Sequence, residues 1–293
     1  MNKKLKVGIL GTGNIGTDLL LKIIRSEFLV CKAFVGRNLN STGMRKAVEL
    51  GIPISDKSIE AFTSGLFDVD LVFDATSAQM HKKHAPIFES MGILAIDMTP
   101  SQVGSMCVPA INMEECLGKK NMNMITCGGQ ASVPIAYTLK KVVPEIEYIE
   151  TVSAISSNSA GPGTRANLDE YINNTEAALS YFSGCNNVKA IINLNPAIPH
   201  IDMQTTVFAK VSSCNIEEVK SSINECVKTI QSYVPGYKLV VEPVYESGRI
   251  MVMVRVKGLG DYLPQYAGNL DIINCAAISL AESYAKVGRI DPL

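Results

Sequence analysis

The chain has 293 residues, long for one core and comfortable for two domains, with 47% hydrophobic and 19% charged residues. Its formal net charge is −1, with no basic block or acidic tail, which argues against nucleic acid or an anionic membrane as a main partner. No apolar run reaches the length of a bilayer span and the polar opening has no secretion leader, so a cytoplasmic protein is expected.

Leu5–Leu10 is a short apolar run followed by G-T-G-N-I-G at Gly11–Gly16. Ile15, Leu19, Leu20, Ile23 and Ile24 then recur at helical spacing, and Phe28–Val35 reads as a second strand. Strand, glycine turn, helix and strand make the opening unit of a doubly wound sheet. The glycines give a tight turn, close backbone approach to a pyrophosphate and a helix N-terminus facing negative charge. A dinucleotide site is therefore expected here. The end of the second strand reads A-F-V-G-R-N-L-N-S, with Arg37 and no carboxylate for the ribose hydroxyls. An arginine there admits a 2′-phosphate, and a solvated surface residue is the other reading.

The alternation continues with a helix at Lys46–Leu50, a strand at Val69–Asp74 and a helix at His81–Met91. Ile93–Asp97 and Met124–Thr126 read as further strands. Next comes N-M-I-T-C-G-G-Q-A-S-V-P-I at Asn123–Ile135, where a strand-like stretch gives way to two glycines and an apolar helical run. That pattern places Cys127 near a helix N-terminus, where the dipole is expected to lower the thiol pKa. Gly128 and Gly129 are expected to let backbone N–H groups approach an oxyanion. The other seven cysteines have no C-x-x-C pair or metal-ligand spacing and are expected to be reduced core residues.

From Val152–Ser157 onward the character changes to longer strands, including Ala190–Leu194, Thr205–Val211 and Arg249–Lys257. One amphipathic helix, Ile216–Tyr233, stands out among them, which suggests an α+β unit with a mixed or antiparallel sheet. The loop Ser159–Asn167 combines two glycines, a proline, hydroxyls, an arginine and an amide, a composition able to hold phosphate or a cofactor amide. Composition alone equally fits a plain connection. Ile272–Lys286 is a final helix, apolar enough to pack on the first domain.

Several long strings occur in order: G-T-G-N-I-G-T-D-L, A-I-D-M-T-P at Ala95–Pro100, C-V-P-A-I-N at Cys107–Asn112 and M-I-T-C-G-G-Q-A at Met124–Ala131. They continue with S-A-G-P-G-T-R-A-N at Ser159–Asn167, D-Y-L-P at Asp261–Pro264 and Y-A-G-N-L-D-I at Tyr266–Ile272. With them the chain resembles, over nearly its whole length, the acylating acetaldehyde dehydrogenases of aromatic meta-cleavage pathways. The resemblance implies an α/β fold: a Rossmann-type doubly wound parallel sheet plus an α+β catalytic domain with a mixed or antiparallel sheet. The domain division it implies is 1–126 with 267–293 for dinucleotide binding, and 127–266 for catalysis and oligomerisation.

It implies that Cys127 forms an acyl thioester from a short-chain aldehyde, acetaldehyde or propionaldehyde, and passes it to coenzyme A, with NAD as cofactor and no metal. Cofactor contacts are implied for Thr12, Gly13, Asn14, Ile15, Ser159, Ala160, Gly161, Pro162, Gly163, Thr164, Arg165, Ala166, Asn167 and Asn269. A homo-oligomer and a 4-hydroxy-2-oxo-acid aldolase partner are also family traits. Two departures stand out. The family's N-P-A-E-P-P and following R-D-T read here as N-P-A-I-P-H-I-D-M-Q-T-T-V at Asn195–Val207. The carboxylate expected to help activate the cysteine therefore falls on Thr205, with His200 favoured over Asp202 as its local substitute. The other departure is Arg37–Asn38, where relatives often carry an acid; it leaves NADP open beside NAD. Rival readings are a phosphate-dependent semialdehyde dehydrogenase with a histidine base, and a non-catalytic nucleotide sensor.

Overall fold

A computed structural model of the chain describes residues 4–161, 165 and 167–288. Residues Leu5–Leu10 form β1, Asn14–Arg25 α1 and Leu29–Val35 β2, and β1 pairs in parallel with β2. Then come α2 (Thr42–Glu49), β3 (Ile54–Ser55), the short α3 (Glu60–Thr63), β4 (Leu71–Asp74), α4 (Ala78–Ser90) and β5 (Leu94–Asp97). Strands β6 (Ser105–Met106) and β7 (Asn121–Asn123) flank α5 (Pro109–Cys116) and complete a seven-stranded parallel sheet of order β3-β2-β1-β4-β5-β7-β6. Its central strands are buried on both faces, which explains why L-V-F-D and L-K-V-G-I-L are mainly apolar rather than alternating.

Helix α6 (Cys127–Val142) leads from this sheet to the second one. That sheet is built from β8 (Tyr148–Ser156), β9 (Val188–Asn195), β10 (Met203–Lys210), β11 (Tyr237–Glu246) and β12 (Arg249–Val256). Its order is β11-β12-β10-β8-β9, with β8 and β9 parallel and the remaining pairs antiparallel, so the sheet is mixed. Helices α7 (Leu168–Ser183) and α8 (Ile216–Gln231) pack with α6 over one face, and α9 (Gly268–Val287) returns to α1. The period of two is visible across the register. Ala190, Thr151, Val207 and Val252 form an inner row, all buried. Ile191, Val152, Thr206 and Met253 form an outer row, with Ile191 40% exposed. Among the described residues no helix is long and apolar enough to cross a membrane.

The structure corrects the sequence reading in several places. Met124–Thr126 is a turn, since the strand ends at Asn123. Ile24, expected on the apolar face of α1, is 45% exposed, while Lys22 is buried instead. Helix α7 was not anticipated, because its apolar positions are interrupted by Asn173, Asn174 and Thr175. Helices α2 and α4 begin earlier than expected, at caps supplied by Ser41 and Ser77 that accept the Met44 and Met80 N–H groups.

Lys22 explains how α1 and α9 stay together. Its Nζ lies 2.9 Å from Asp18, 2.9 Å from Asp261 and 2.7 Å from Asp271, and Asn274 donates to Asp18 at 2.8 Å. Burial pulls the ammonium pKa down, but the charges of Asp271 and Asp18 outweigh it and the net direction is up. Lys22→Met would leave three neighbouring carboxylates without their shared cation. We expect a loss of about 3–5 kcal/mol in urea unfolding; a loss below about 1 kcal/mol would mean the cluster behaves like a surface pair.

Candidate active site

The site begins with a turn that its own sequence resists. Ile125 sits at φ 53°, a left-handed conformation that a β-branched side chain disfavours. Two asparagines hold it there. The Ile125 N–H donates to Asn123 Oδ1 at 2.9 Å, and Asn174 Nδ2 on α7 donates to the Ile125 carbonyl at 3.2 Å. Gln130 Nε2 also donates to the Met124 carbonyl at 3.0 Å. The chain then turns extended at Thr126, the N-cap of α6, whose Oγ1 accepts the Gly129 N–H at 2.9 Å and lies 2.7 Å from Thr175 Oγ1. Cys127 is thereby the first residue of the helix.

Cys127 is half-buried and packs against both hydrophobic cores. Its Sγ lies 3.7 Å from Tyr171 Oη, and the Cys127 and Gly128 N–H groups face the sulfur. The Gly129 N–H is taken by the cap, so the backbone donors left beside the sulfur are those of Cys127 and Gly128, rather than of the glycine pair. The expected lowering of the thiol pKa is not what the surroundings give. Burial pushes it up, and the hydrogen bonds from Tyr171 and the two amides offset that only in part.

Thr205 lies on β10, buried, with its Oγ1 3.0 Å from Ser153 Oγ on β8. Ser153 in turn stands beside the Tyr171 hydroxyl. Asp202 precedes β10 and so escapes the strand alternation that separates it from Thr205. His200 is placed elsewhere in the site. Its ring nitrogens lie 3.3 Å from Ser156 Oγ and 3.2 Å from Asn158 Nδ2, and its ring packs on Tyr266 with centroids 4.5 Å apart and planes tilted by 50°. Tyr171 and Ser153 were not singled out from sequence. Tyr171 lies four residues past Asn167, on the first turn of a helix that the apolar pattern concealed.

The other two histidines are structural. Asp74, at the end of β4, lies 3.0 Å from His81 Nδ1 and 2.8 Å from His84 Nδ1. Burial alone would raise Asp74, but these bonds and that from Thr76 hold it at about 2. Burial alone would lower His81, and its bond to Asp74 with the charges of Asp97 and Asp74 reverses this, so its pKa is raised.

The glycine turn has the shape a dinucleotide needs. Gly11 has φ 116°, and a β-carbon there would lie 2.5 Å from the Ala75 carbonyl; one at Gly16 would lie 1.8 Å from the Gly11 carbonyl. A β-carbon at Gly13, by contrast, would meet nothing within 4 Å. Gly13 caps α1 with no side-chain bond and no acid follows in the first turn, so the helix N-terminus is open to an anion. Asn14 is exposed beside it, and Thr12 Oγ1 reaches Ser41 Oγ at 3.3 Å. Ile15 packs with Leu263, Ala267 and Leu270, which brings the start of α9 to this turn. There Asn269 is 1% exposed and its Oδ1 has no hydrogen-bond partner among the described residues. An orphaned buried acceptor is what a cofactor carboxamide would satisfy. The residues present fit the group.

Of the loop residues expected to line the cofactor, Ser159, Ala160, Gly161, Arg165 and Asn167 are among the described residues; Pro162, Gly163, Thr164 and Ala166 lie outside them. The loop braces itself more than anticipated. Ser159 Oγ donates to the Ser156 carbonyl at 2.8 Å, and Arg165 donates to Ala160 O at 3.0 Å and Ser157 O at 2.9 Å. Arg37 is exposed just beyond β2. The glycine turn and Cys127 follow the carboxyl ends of β1 and β7, the edge where open α/β sheets bind ligands. Three strand spacings separate those strands, roughly 14 Å.

Residues 127–264 match the family model described as prokaryotic acetaldehyde dehydrogenase, dimerisation. Residues 6–117 match the semialdehyde dehydrogenase NAD binding domain. The chain is 58% identical over 287 residues to an acetaldehyde dehydrogenase of Spirochaeta aurantia, covering 98% of this chain and 97% of the relative. It is 56% identical over 289 residues to one of Pectobacterium atrosepticum, covering 98% of each. Among solved structures, an aspartate semialdehyde dehydrogenase with NADP from Candida albicans superposes with a TM-score of 0.69 at 13% identity, over 96% of this chain and 100% of the other. That likeness shows the fold.

The burial of Cys127 has a measurable consequence. Because its pKa is raised, the thiolate fraction in the free protein should be small at pH 7 and grow as pH rises. Alkylation of Cys127 by iodoacetamide, followed by peptide mass spectrometry, should have its midpoint above the ordinary thiol value of about 8.5. A midpoint well below that value would show that the helix N-terminus prevails over burial.

Proposed function

The chain belongs to the acetaldehyde dehydrogenase family, and from that premise we propose that it oxidises a short-chain aldehyde, acetaldehyde or propionaldehyde, and acylates coenzyme A. The observation that carries this reading is Cys127 at the N-terminus of α6, on the same sheet edge as the open Gly13 turn. The Cys127 thiolate attacks the aldehyde carbon and forms a thiohemiacetal. The Cys127 and Gly128 N–H groups receive the oxyanion, held in place by the Thr126 cap. Thr12, Gly13, Asn14 and Ile15 on the open α1 turn, with Asn269 and the described residues Ser159, Ala160, Gly161, Arg165 and Asn167, would hold a nicotinamide dinucleotide, which would supply the hydride acceptor. The thioester left on Cys127 is then taken by the CoA thiol. NAD is the assigned cofactor, and exposed Arg37, standing where a ribose-binding carboxylate is usual, supports tolerance of NADP.

We assign 1–126 with 267–293 to dinucleotide binding and 127–266 to catalysis and oligomerisation. A homo-oligomer is supported by the dimerisation model over 127–264 and by exposed Ile191 beside half-buried Val152 on the outer row of the second sheet. An aldolase that releases a short aldehyde is a fitting partner. The two buried histidines, both bound to Asp74, give no support to a phosphate-dependent mechanism with one of them as base.

The test is nicotinamide reduction with acetaldehyde, run with CoA or with inorganic phosphate, and with NAD or NADP. We expect CoA-dependent turnover and its loss by several orders of magnitude in Cys127→Ser, with cofactor binding kept. Phosphate-dependent turnover, or near-normal activity in the serine variant, would overturn the reading. Arg37→Ala should lower the NADP to NAD efficiency ratio.

A further inference from the structure

Among the described residues, the side chain that brings a polar atom to the Cys127 sulfur is Tyr171, at 3.7 Å. Thr205 reaches no further than Ser153 Oγ, at 3.0 Å, and the hydrogen bonds of His200 go to Ser156 and Asn158. We propose that Tyr171 is a catalytic residue whose hydroxyl donates a hydrogen bond to the Cys127 thiolate. This deepens, and rests on, the assignment of Cys127 as nucleophile.

Three observations carry it. The first is space. A β-carbon on residue 128 would lie 2.1 Å from Tyr171 Oη and 3.1 Å from Ser153 Oγ, so Gly128 is the opening through which the phenol reaches the sulfur. The second is rigidity. Tyr171 stands on the first turn of α7, its carbonyl accepts the Thr175 hydroxyl at 2.7 Å, and Thr175 in turn meets the Thr126 cap. One helix therefore sets the phenol with Tyr171 and the cysteine turn with Asn174 and Thr175. The third is chemistry. Tyr171 is 7% exposed, and burial with the neighbouring sulfur raises its pKa well above the ordinary phenol value. It stays an O–H donor throughout the working range and takes no proton from the thiol. The neutral Cys127 thiol donates to Tyr171 Oη at 3.7 Å; once ionised the sulfur can only accept, and the phenol O–H becomes the donor, with Ser153 beside it and Ser153 Oγ 3.0 Å from Thr205 Oγ1. A hydrogen bond to a buried anion favours the charged form, so the phenol offsets part of the burial that suppresses the thiolate.

The test is Tyr171→Phe, which removes one oxygen and keeps the ring. The rate of Cys127 alkylation by iodoacetamide is followed against pH by peptide mass spectrometry, without aldehyde, beside steady-state acetaldehyde oxidation. We expect the alkylation midpoint to move to higher pH by about one unit or more. Turnover at neutral pH should fall about tenfold, with the deficit shrinking as pH rises. Gly128→Ala, which displaces the phenol from the other side, should shift the midpoint in the same direction and serves if the phenylalanine variant does not fold. A profile superposable on wild type in a folded variant overturns the proposal. If alkylating Cys127 in the wild-type protein leaves aldehyde oxidation intact, the nucleophile assignment itself falls, which separates the two failures.

Discussion

The left-handed backbone at Ile125 is the constraint on which the site depends. Such a conformation costs a β-branched residue on the order of 1–3 kcal/mol. It persists because Asn123 fixes its amide and Asn174 its carbonyl, both buried where an unpaired group would itself be costly. Once Ile125 is set, Thr126 can only continue as an extended cap, and Cys127 becomes the first residue of α6. The sulfur then lies where the two hydrophobic cores meet. The strain is the means by which one short turn aims a side chain between two sheets.

The polar interior extends this control across the parallel sheet. Asp97 at the end of β5 accepts from Asn123 Nδ2 at 2.7 Å, and Asp74 at the end of β4 is gripped by two histidines from α4. His81 bridges outward to Asn121 at 3.3 Å, tying β4 to β7. A pack of buried carboxylates, amides and imidazoles thus lines up the carboxyl ends of the central strands. The Lys22 cluster does the same for α9, whose first turn brings Asn269 toward the glycine turn. Position, rather than an activated resting thiol, is what this architecture supplies most.

Much of this was legible in the sequence, where local geometry leaves its mark on composition. The Gly11–Gly16 turn was readable because Gly11 and Gly16 leave no room for a β-carbon, while Gly13 keeps the start of α1 open. Cys127 was readable because a glycine pair and an apolar run followed it. The mixed second sheet showed through its longer strands with few helices between them. What stayed hidden depends on long-range packing. Nothing local in M-I-T announces a left-handed isoleucine, since its partners sit at positions 123 and 174. Helix α7 was concealed by the polar residues through which it grips that turn, Asn174 and Thr175. The same concealment kept Tyr171 out of view and made His200 look the better neighbour for Cys127. The direction of the thiol pKa was hidden for a related reason, because a helix N-terminus is visible in sequence and the depth of burial that opposes it is not.

The account's central claim is an acyl group carried on one sulfur. Its most direct measurement is to mix the protein with acetaldehyde and NAD without CoA, quench in acid, digest, and map the adduct by mass spectrometry. An acetyl thioester on the Cys127 peptide, discharged on addition of CoA, is the predicted result. An unmodified Cys127 peptide after nicotinamide reduction, or an acetyl group that CoA does not remove, would contradict it.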